Sequence, residues 1–333
     1  MQIIRSILAI ALVFISVLSF YSCNSDQSTK ASSTGSPNEI IVVAEDNLWK
    51  TSLGDSIISF FGSTRTGLPQ DEPLYKVVQI KLSEFNRLFE THRNVLAISI
   101  DSSLNEPKTE MVQNVWSAPQ RVVKIAAPSI ELLKSAFNEN KREIFNLFEN
   151  AEIQRQQSLY SKTLNIKAGE TVTNKFNLKM AIPADFFVAV DKDNFLWLRK
   201  ETNVISQGIL IYRYPYTDTA SFNPRKILSV RNQFTRLYVP GPSDSSFMVV
   251  AENYVTPVDR LLTLKKEHAV EIRGLWEVEK DFMGGPFINY TLVDQKNNMV
   301  VALDGYVYAP NQNKADLLRQ VQSILLTFEF VDK

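Results

Sequence analysis

The chain has one cysteine and two histidines in 333 residues. A single thiol excludes an intramolecular disulfide. So few Cys and His side chains also leave little material for a zinc site or for a Ser-His or Cys-His nucleophilic pair. Net charge is missing too, because 36 Lys and Arg balance 36 Asp and Glu. A neutral total supplies no electrostatic reason to bind nucleic acid and no broad basic face for anionic lipid. There is no Gly-x-Ser-x-Gly elbow, His-Glu-x-x-His helix, phosphate loop or Gly-x-Gly-x-x-Gly turn. No cofactor is expected. The acid–base device that the composition can still supply is a pair of carboxylates. Asp281, Asp294 and Asp304 sit near strand ends, but Asp294 and Asp304 read as turn and edge residues.

What is present is ordinary globular material. A hydrophobic content of 44% with 22% charged residues can bury a real core, and the length suits about two domains. The N-terminus reads differently. Arg5 precedes an apolar run over residues 6–20, and Tyr21-Ser22-Cys23 follows it. The run has the length of a secretory signal and is too short to span a bilayer comfortably; no later run is apolar enough to do so. Cys23, behind a small residue, resembles the end of a bacterial lipobox, although Phe20 and Tyr21 depart from its usual pattern. The expectation is a signal peptide over 1–22 and a lipidated Cys23. Residues 24–38, rich in Ser and Thr, then read as a flexible tether of roughly 20 Å end to end. The localisation that follows is the bacterial cell envelope, lipid-anchored to a membrane, with the outer membrane preferred to the inner.

Two folded regions follow. Residues 39–160 alternate strand and helix patterns in the order β-α-β-α-β-β-α, with Ser129 placed to cap a long helix. Residues 165–173 read as a polar boundary, and residues 165–333 form the second region. There Leu210, Tyr212 and Tyr214 share one strand face, and Asn223 and Pro224 open a helix. Its outer face is expected to carry Arg225, Lys226, Arg231 and Arg236. The fold class is therefore α+β: two layered, α/β-sandwich-like regions, mainly antiparallel sheets with covering helices, behind a lipoprotein signal peptide.

The most legible unit is residues 269–330. Val270, Ile272, Trp276 and Val278 alternate with Glu271, Arg273, Glu277 and Glu279, the period of a half-buried strand. Met283-Gly284-Gly285-Pro286 turns into a second strand and residues 294–298 into a third. Pro310 ends that strand, and Asn313 is placed to cap a final helix with Leu317, Val321, Ile324 and Leu325 inward. The Gly284-Gly285 pair permits a bulge or a close backbone approach. The candidate binding surface is Met283, Gly284, Gly285 and Phe287 of the turn with Tyr290 and Tyr306.

The run from Asp281 to Phe287 carries much of a family resemblance. Tyr290, Asp294, the run from Asp304 to Pro310, Lys314 and Arg319-Gln320 carry more of it, as do Asn114-Val115-Trp116 and Pro119-Gln120. Together these resemble a family of Bacteroidota lipoproteins known only as a domain of unknown function. Ala315 departs from the second basic residue expected after Lys314. The resemblance implies an envelope lipoprotein and brings no activity with it. The expected function is thus non-enzymatic binding near the membrane, with the membrane reached through the lipid anchor and an envelope protein or glycan as partner. The alternatives are a carboxylate-dependent hydrolase of envelope polymer and a small-ligand carrier.

Overall fold

The structure, a computed structural model, describes residues 30–331. The expected signal peptide and Cys23 lie outside the described residues. The first region opens with β1 (Ala31–Ser32), β2 (Glu39–Val43), α1 (Asp46–Trp49), α2 (Ser52–Phe61), β3 (Lys76–Ile80) and α3 (Arg87–Glu90). It continues with β4 (Asn94–Ile100), β5 (Lys108–Gln113), β6 (Ser117–Ala118), β7 (Arg121–Ala127) and α4 (Ile130–Tyr160). Five of these strands form a sheet in the order β3-β2-β4-β7-β5. β2 reads EIIVV and is buried along almost its whole length, the signature of a strand covered on both faces. Ile40, Val42, Leu96, Ile98, Val123 and Ile125 pack under α2 and α4. Ile41, Val43, Val95 and Val122 meet Phe85, Phe89, Val115 and Trp116 on the other face.

The α+β class with covering helices is the one observed. Within this first sheet, β2–β3, β2–β4 and β4–β7 are parallel, and β5–β7 alone is antiparallel. Helical crossovers through α1, α2 and α3 return the chain to the end it started from, which is what parallel pairing requires.

The flexible tether needs a correction over residues 30–38. β1 pairs in parallel with β6. The Thr34 N–H donates to the Thr91 carbonyl at 2.8 Å, and Arg93 N–H donates back to the Thr34 carbonyl at 3.0 Å. Gly35, at φ 91°, lies so close to the His92 ring that any Cβ would collide with it. Ser and Thr composition suits a tether, yet backbone hydrogen bonds do not depend on side chains, and they pin this segment.

The second region comprises α5 (Ile166–Phe176), β8 (Leu178–Lys179), β9 (Phe187–Lys192), β10 (Phe195–Glu201), β11 (Ser206–Pro215) and α6 (Pro224–Tyr238). β12 (Met248–Val250), β13 (Val258–Leu264), β14 (Glu267–Val278), β15 (Gly284–Asp294), β16 (Met299–Tyr308), α7 (Ala315–Leu325) and β17 (Glu329–Phe330) complete it. Its eight-stranded sheet runs β12-β14-β15-β16-β11-β10-β9, with β13 also paired to β14, and every pairing is antiparallel. One face, with Leu196, Ile209, Ile288, Tyr290 and Leu303, packs under α5 and α7. The other, with Phe195, Tyr212, Ile272, Phe287 and Ala302, packs under α6. α5 occupies the stretch expected as a boundary. Asn165 caps it, and Ala168, Val172 and Phe176 recur at helical spacing on its buried side.

Arg231, expected on the solvent face of α6, is fully buried. Its Nε and Nη2 donate to the two carboxylate oxygens of Asp304 at 2.9 and 3.1 Å, and its guanidinium lies 4.1 Å from the Phe287 ring centre. Asp304, expected at an edge, is central and fully buried, and it also accepts from Asn289 Nδ2 at 3.1 Å. A bidentate partner and a further donor offset the desolvation of both charges.

The two regions join through α7. No side chain of its own turn caps that helix, so Asn313 does not take the role expected of it. Glu72 does. Its Oε1 accepts from the Lys314 N–H at 2.6 Å and its Oε2 from the Ala315 N–H at 3.0 Å. Glu149 of α4 accepts from Arg65 at 2.9 Å and 3.1 Å, and from Arg319 Nη2 of α7 at 2.9 Å. Burial raises the Glu149 pKa, but Arg319 and Arg65 outweigh it and hold the carboxyl well below the usual range. Glu271, also raised by burial, is drawn down to about 2 by Arg273 and Arg260.

Glu149→Gln strips the countercharge from two buried guanidinia, and a loss of about 3–5 kcal/mol is expected, read as a lowered urea midpoint. The acid limb follows from the same groups. Both carboxyls have depressed pKa values when folded, so their stabilisation is complete above the ordinary value of 4.5 and disappears as pH falls toward about 2. Melting temperature measured from pH 6 to pH 2 should therefore fall steeply below about pH 4.5. A flat profile there would contradict the pairing.

Candidate functional site

The turn at residues 279–283 and the far ends of β10, β14 and β16 enclose a groove of about 550 Å³. Its floor is aromatic, built from Trp197, Trp276, Tyr306 and Tyr308, and its walls include Met248, Met283 and the run from Val239 to Pro242. These side chains lie on the face covered by α6. That helix ends at Tyr238, the chain leaves through Pro240-Gly241-Pro242, and no α6 residue lines the groove. An apolar sheet end without a helix over it is what makes the recess.

The floor is fixed by its own polar atoms. Trp197 Nε1–H donates to the Tyr306 hydroxyl at 3.0 Å, and Trp276 Nε1–H donates to the Val307 carbonyl at 3.3 Å. The Trp276 and Tyr306 rings meet edge to face with centroids 5.3 Å apart. Both indole N–H groups are thereby used inside the fold, and Trp197, Trp276 and Tyr306 are packed to 6%, 2% and 3% exposure beneath the groove. Burial, relieved in part by Arg199 and Trp197, pushes the Tyr306 phenol up to about 12. Arg199 stacks on Trp197 at 4.7 Å and pairs with Glu201. Its buried Nε has no hydrogen-bond partner among the described residues.

Two glycines permit this packing. A Cβ on Gly208 would lie 2.0 Å from the Tyr306 ring, and one on Gly285 would lie 2.0 Å from the Val307 carbonyl oxygen. Asp281 shapes the rim, where its Oδ1 accepts from the backbone N–H groups of Phe282 at 2.6 Å and Met283 at 3.3 Å. Phe282 is left fully exposed, and Val204 across the groove is 57% exposed.

Of the six candidate surface residues, the structure brings Met283 and Tyr306 together at this groove. Gly284 and Gly285 place the strand behind it. Phe287 is a core residue beneath Arg231, and Tyr290 is a core residue on the opposite face, where its hydroxyl accepts from Gln322 Nε2 at 2.7 Å. A surface that includes Phe287 and Tyr290 is therefore corrected. Three positions apart on one strand, they point to opposite faces, and both faces of this sheet are covered. Residues 269–330 alone do not point to Trp197 and Arg199 of β10 or to Val204 of the bend after it: the strand is legible in the sequence, its neighbourhood is not.

Catalytic arrangements are scarce among the described residues. No group of three or more His, Cys, Asp or Glu is placed to hold a metal ion. Glu149, Glu152, Glu271 and Asp304 each pair with arginine. Glu149 and Glu271 both line a cleft of about 440 Å³ between the regions, but their depressed pKa values suit neither to deliver a proton near neutrality.

Residues 165–327 match the family model described as "Domain of unknown function (DUF4837)". Residues 33–161 match the one described as "Domain of unknown function (DUF8532)". The groove falls within the first of these matches. No curated protein matches the chain. Among solved structures, a mutant of protein Mog1 and the Saccharomyces cerevisiae Ran-binding protein Mog1p each align at 9% identity with a TM-score of 0.30. Each covers 47% of this chain, and 92% and 91% of their own chains respectively. The likeness is remote.

Gly208→Ala tests the floor. The added methyl should displace the Tyr306 ring, break its bond to Trp197, and cost about 1–3 kcal/mol as overpacking. Tryptophan fluorescence should change with the drop in melting temperature. An unchanged spectrum would mean that the Trp197–Tyr306 contact is not the anchor of the floor.

Proposed function

We propose that the chain is a bacterial envelope lipoprotein, anchored through Cys23, that binds a partner without transforming it. The observation that supports this reading is the groove over that packed aromatic floor, with the exposed Val204 in its lining and the fully exposed Phe282 next in sequence to its lining residue Met283. Exposed aromatic and apolar rims around a packed floor mark places where partners dock. The chemistry that fits is a flat apolar face flanked by a hydrogen-bond acceptor for Arg199. A sugar ring of an envelope glycan offers this, and so does an apolar side chain of an envelope protein segment.

The alternatives receive less support. A hydrolase needs a carboxyl with a raised pKa beside its substrate, and the groove contains one carboxylate, Glu201, paired with Arg199. A carrier of a small ligand would be served by the recess itself, whereas Val204 in its lining and Phe282 beside its lining residue Met283 are both exposed to solvent. That exposure favours a larger partner.

The test is cross-linking in intact envelopes followed by purification of the wild type and of a Val204→Asp, Phe282→Asp variant. Both side chains are exposed, so the variant should melt like the wild type while losing the co-purified protein or glycan. Identical recoveries from the two would remove the groove from the account. Membrane extraction with mass measurement of the N-terminal peptide checks the anchor. An acylated Cys23 is expected, and Cys23→Ala should shift the protein to the soluble fraction.

A further inference from the structure

Among the described residues, nothing covers one edge of the eight-stranded sheet. β13 pairs with β14 from Val258↔Arg273 to Leu264↔Glu267, and the two strands are joined by the two-residue turn Lys265-Lys266 at φ 49° and 75°. Both values are positive, as the tight turn that suits antiparallel strands requires. In such a hairpin the closing pair exchanges its backbone bonds, and alternate residues follow suit. Val258, Arg260, Leu262 and Leu264 therefore bond to β14. Asp259, Leu261 and Thr263 direct their N–H and C=O groups outward, and none of these meets a backbone group of the other described residues. Leu261 is 68% exposed and Val258 50%.

The other ends of this sheet are blunted. β12 is short, and its outward N–H groups are taken by the Val239 carbonyl at 3.1 Å and Asn232 Oδ1 at 2.9 Å. β9 is bent away by an irregular register at Trp197/Leu198, and Lys175 Nζ donates to its Lys192 carbonyl at 2.7 Å. β13 has no proline and no irregular register, and among the described residues no side chain covers its outer backbone. A bare apolar edge of this kind is a template for another strand.

We propose that β13 pairs antiparallel with β13 of a second copy, about a two-fold axis at Leu261. The sequence is self-complementary in that register. Leu261 faces Leu261, Asp259 faces Thr263, Arg260 faces Leu262 and Val258 faces Leu264. No like charges oppose each other, and the three outward residues of each copy exchange both backbone bonds with the other. Leu261 of the second copy lies on the same sheet face as the first, above a recess lined by Phe222, Leu261 and His268. Apolar contact at the axis thus joins the backbone bonds. A closed two-fold contact of this type ends assembly at the dimer.

Directly opposed residues in such a pair have Cα atoms about 5.5 Å apart, within disulfide range. In the full chain, Leu261→Cys should therefore cross-link to itself under mild oxidation. Asp259→Cys alone should not, but mixed with Thr263→Cys it should give a heterodimer. Leu261→Pro removes only an outward N–H, so the intramolecular ladder is kept, the melting temperature should hold, and the dimer seen by sedimentation should be lost. The proposal is overturned if Leu261→Cys links no better than Asp259→Cys, or if Leu261→Pro sediments like the wild type. A wild type that stays monomeric while taking up an extended peptide along this edge overturns it as well.

Discussion

One carboxylate between two arginines holds the molecule together. Glu149 is shared by Arg65, which belongs to its own region, and by Arg319, which belongs to the other. A buried ion pair is an ambiguous contributor to stability, because desolvation consumes most of what Coulomb attraction supplies. Its direction is less ambiguous. Moving the regions apart would leave Arg319 with only Asp316 for company, so the low-energy arrangement is the one in which the regions touch. Glu72 at the start of α7 acts in the same sense, since orphan N–H groups at a buried helix end are costly unless something accepts from them. The two regions are docked by satisfying each other's polar groups.

The groove depends on this frame indirectly. α7 clamps one face of the large sheet, α6 is pinned to the other by Arg231 and Asp304, and the sheet between them cannot shift. At the groove, that sheet then holds Trp197, Trp276 and Tyr306 packed in fixed relation. The rings are oriented by internal hydrogen bonds, so an occupant would meet a preformed surface and need not organise one.

How much of this could be read in the sequence differs by element. The strands of residues 269–308 were legible because hydrophobic period two and the Gly-Gly-Pro turn agree. α6 was legible from Asn223 and Pro224. Arg231 was not, because a buried arginine looks like any other charged residue until its carboxylate, 73 positions away, is known. α5 was obscured by Gly169 and its threonines, which weaken helix propensity, while its inward face of Ala168, Val172 and Phe176 is too sparse to announce itself. β9 and β13 are hard to read from sequence for a related reason. Edge strands are exposed on one or both faces, so their hydrophobic alternation is diluted by charge. The cap of α7 escapes local rules, which look for a local acceptor and point to Asn313 instead of Glu72. Two of the groove residues, Met283 and Tyr306, were reachable from the turn; Trp197 and Arg199 required the strand order.

The remote cap on α7 also gives biosynthesis a direction. The first region contains both Arg65 and Glu149, so that ion pair can close before the rest of the chain is made. The final helix has no such independence: its first N–H groups await an acceptor synthesised 242 residues earlier, and its Arg319 awaits a carboxylate on α4. A chain emerging N-terminus first therefore always has the receiving half in place before the dependent half appears. Reversing the order of the two segments in a rearranged gene would present an unfinished helix first, with nothing yet made to complete it.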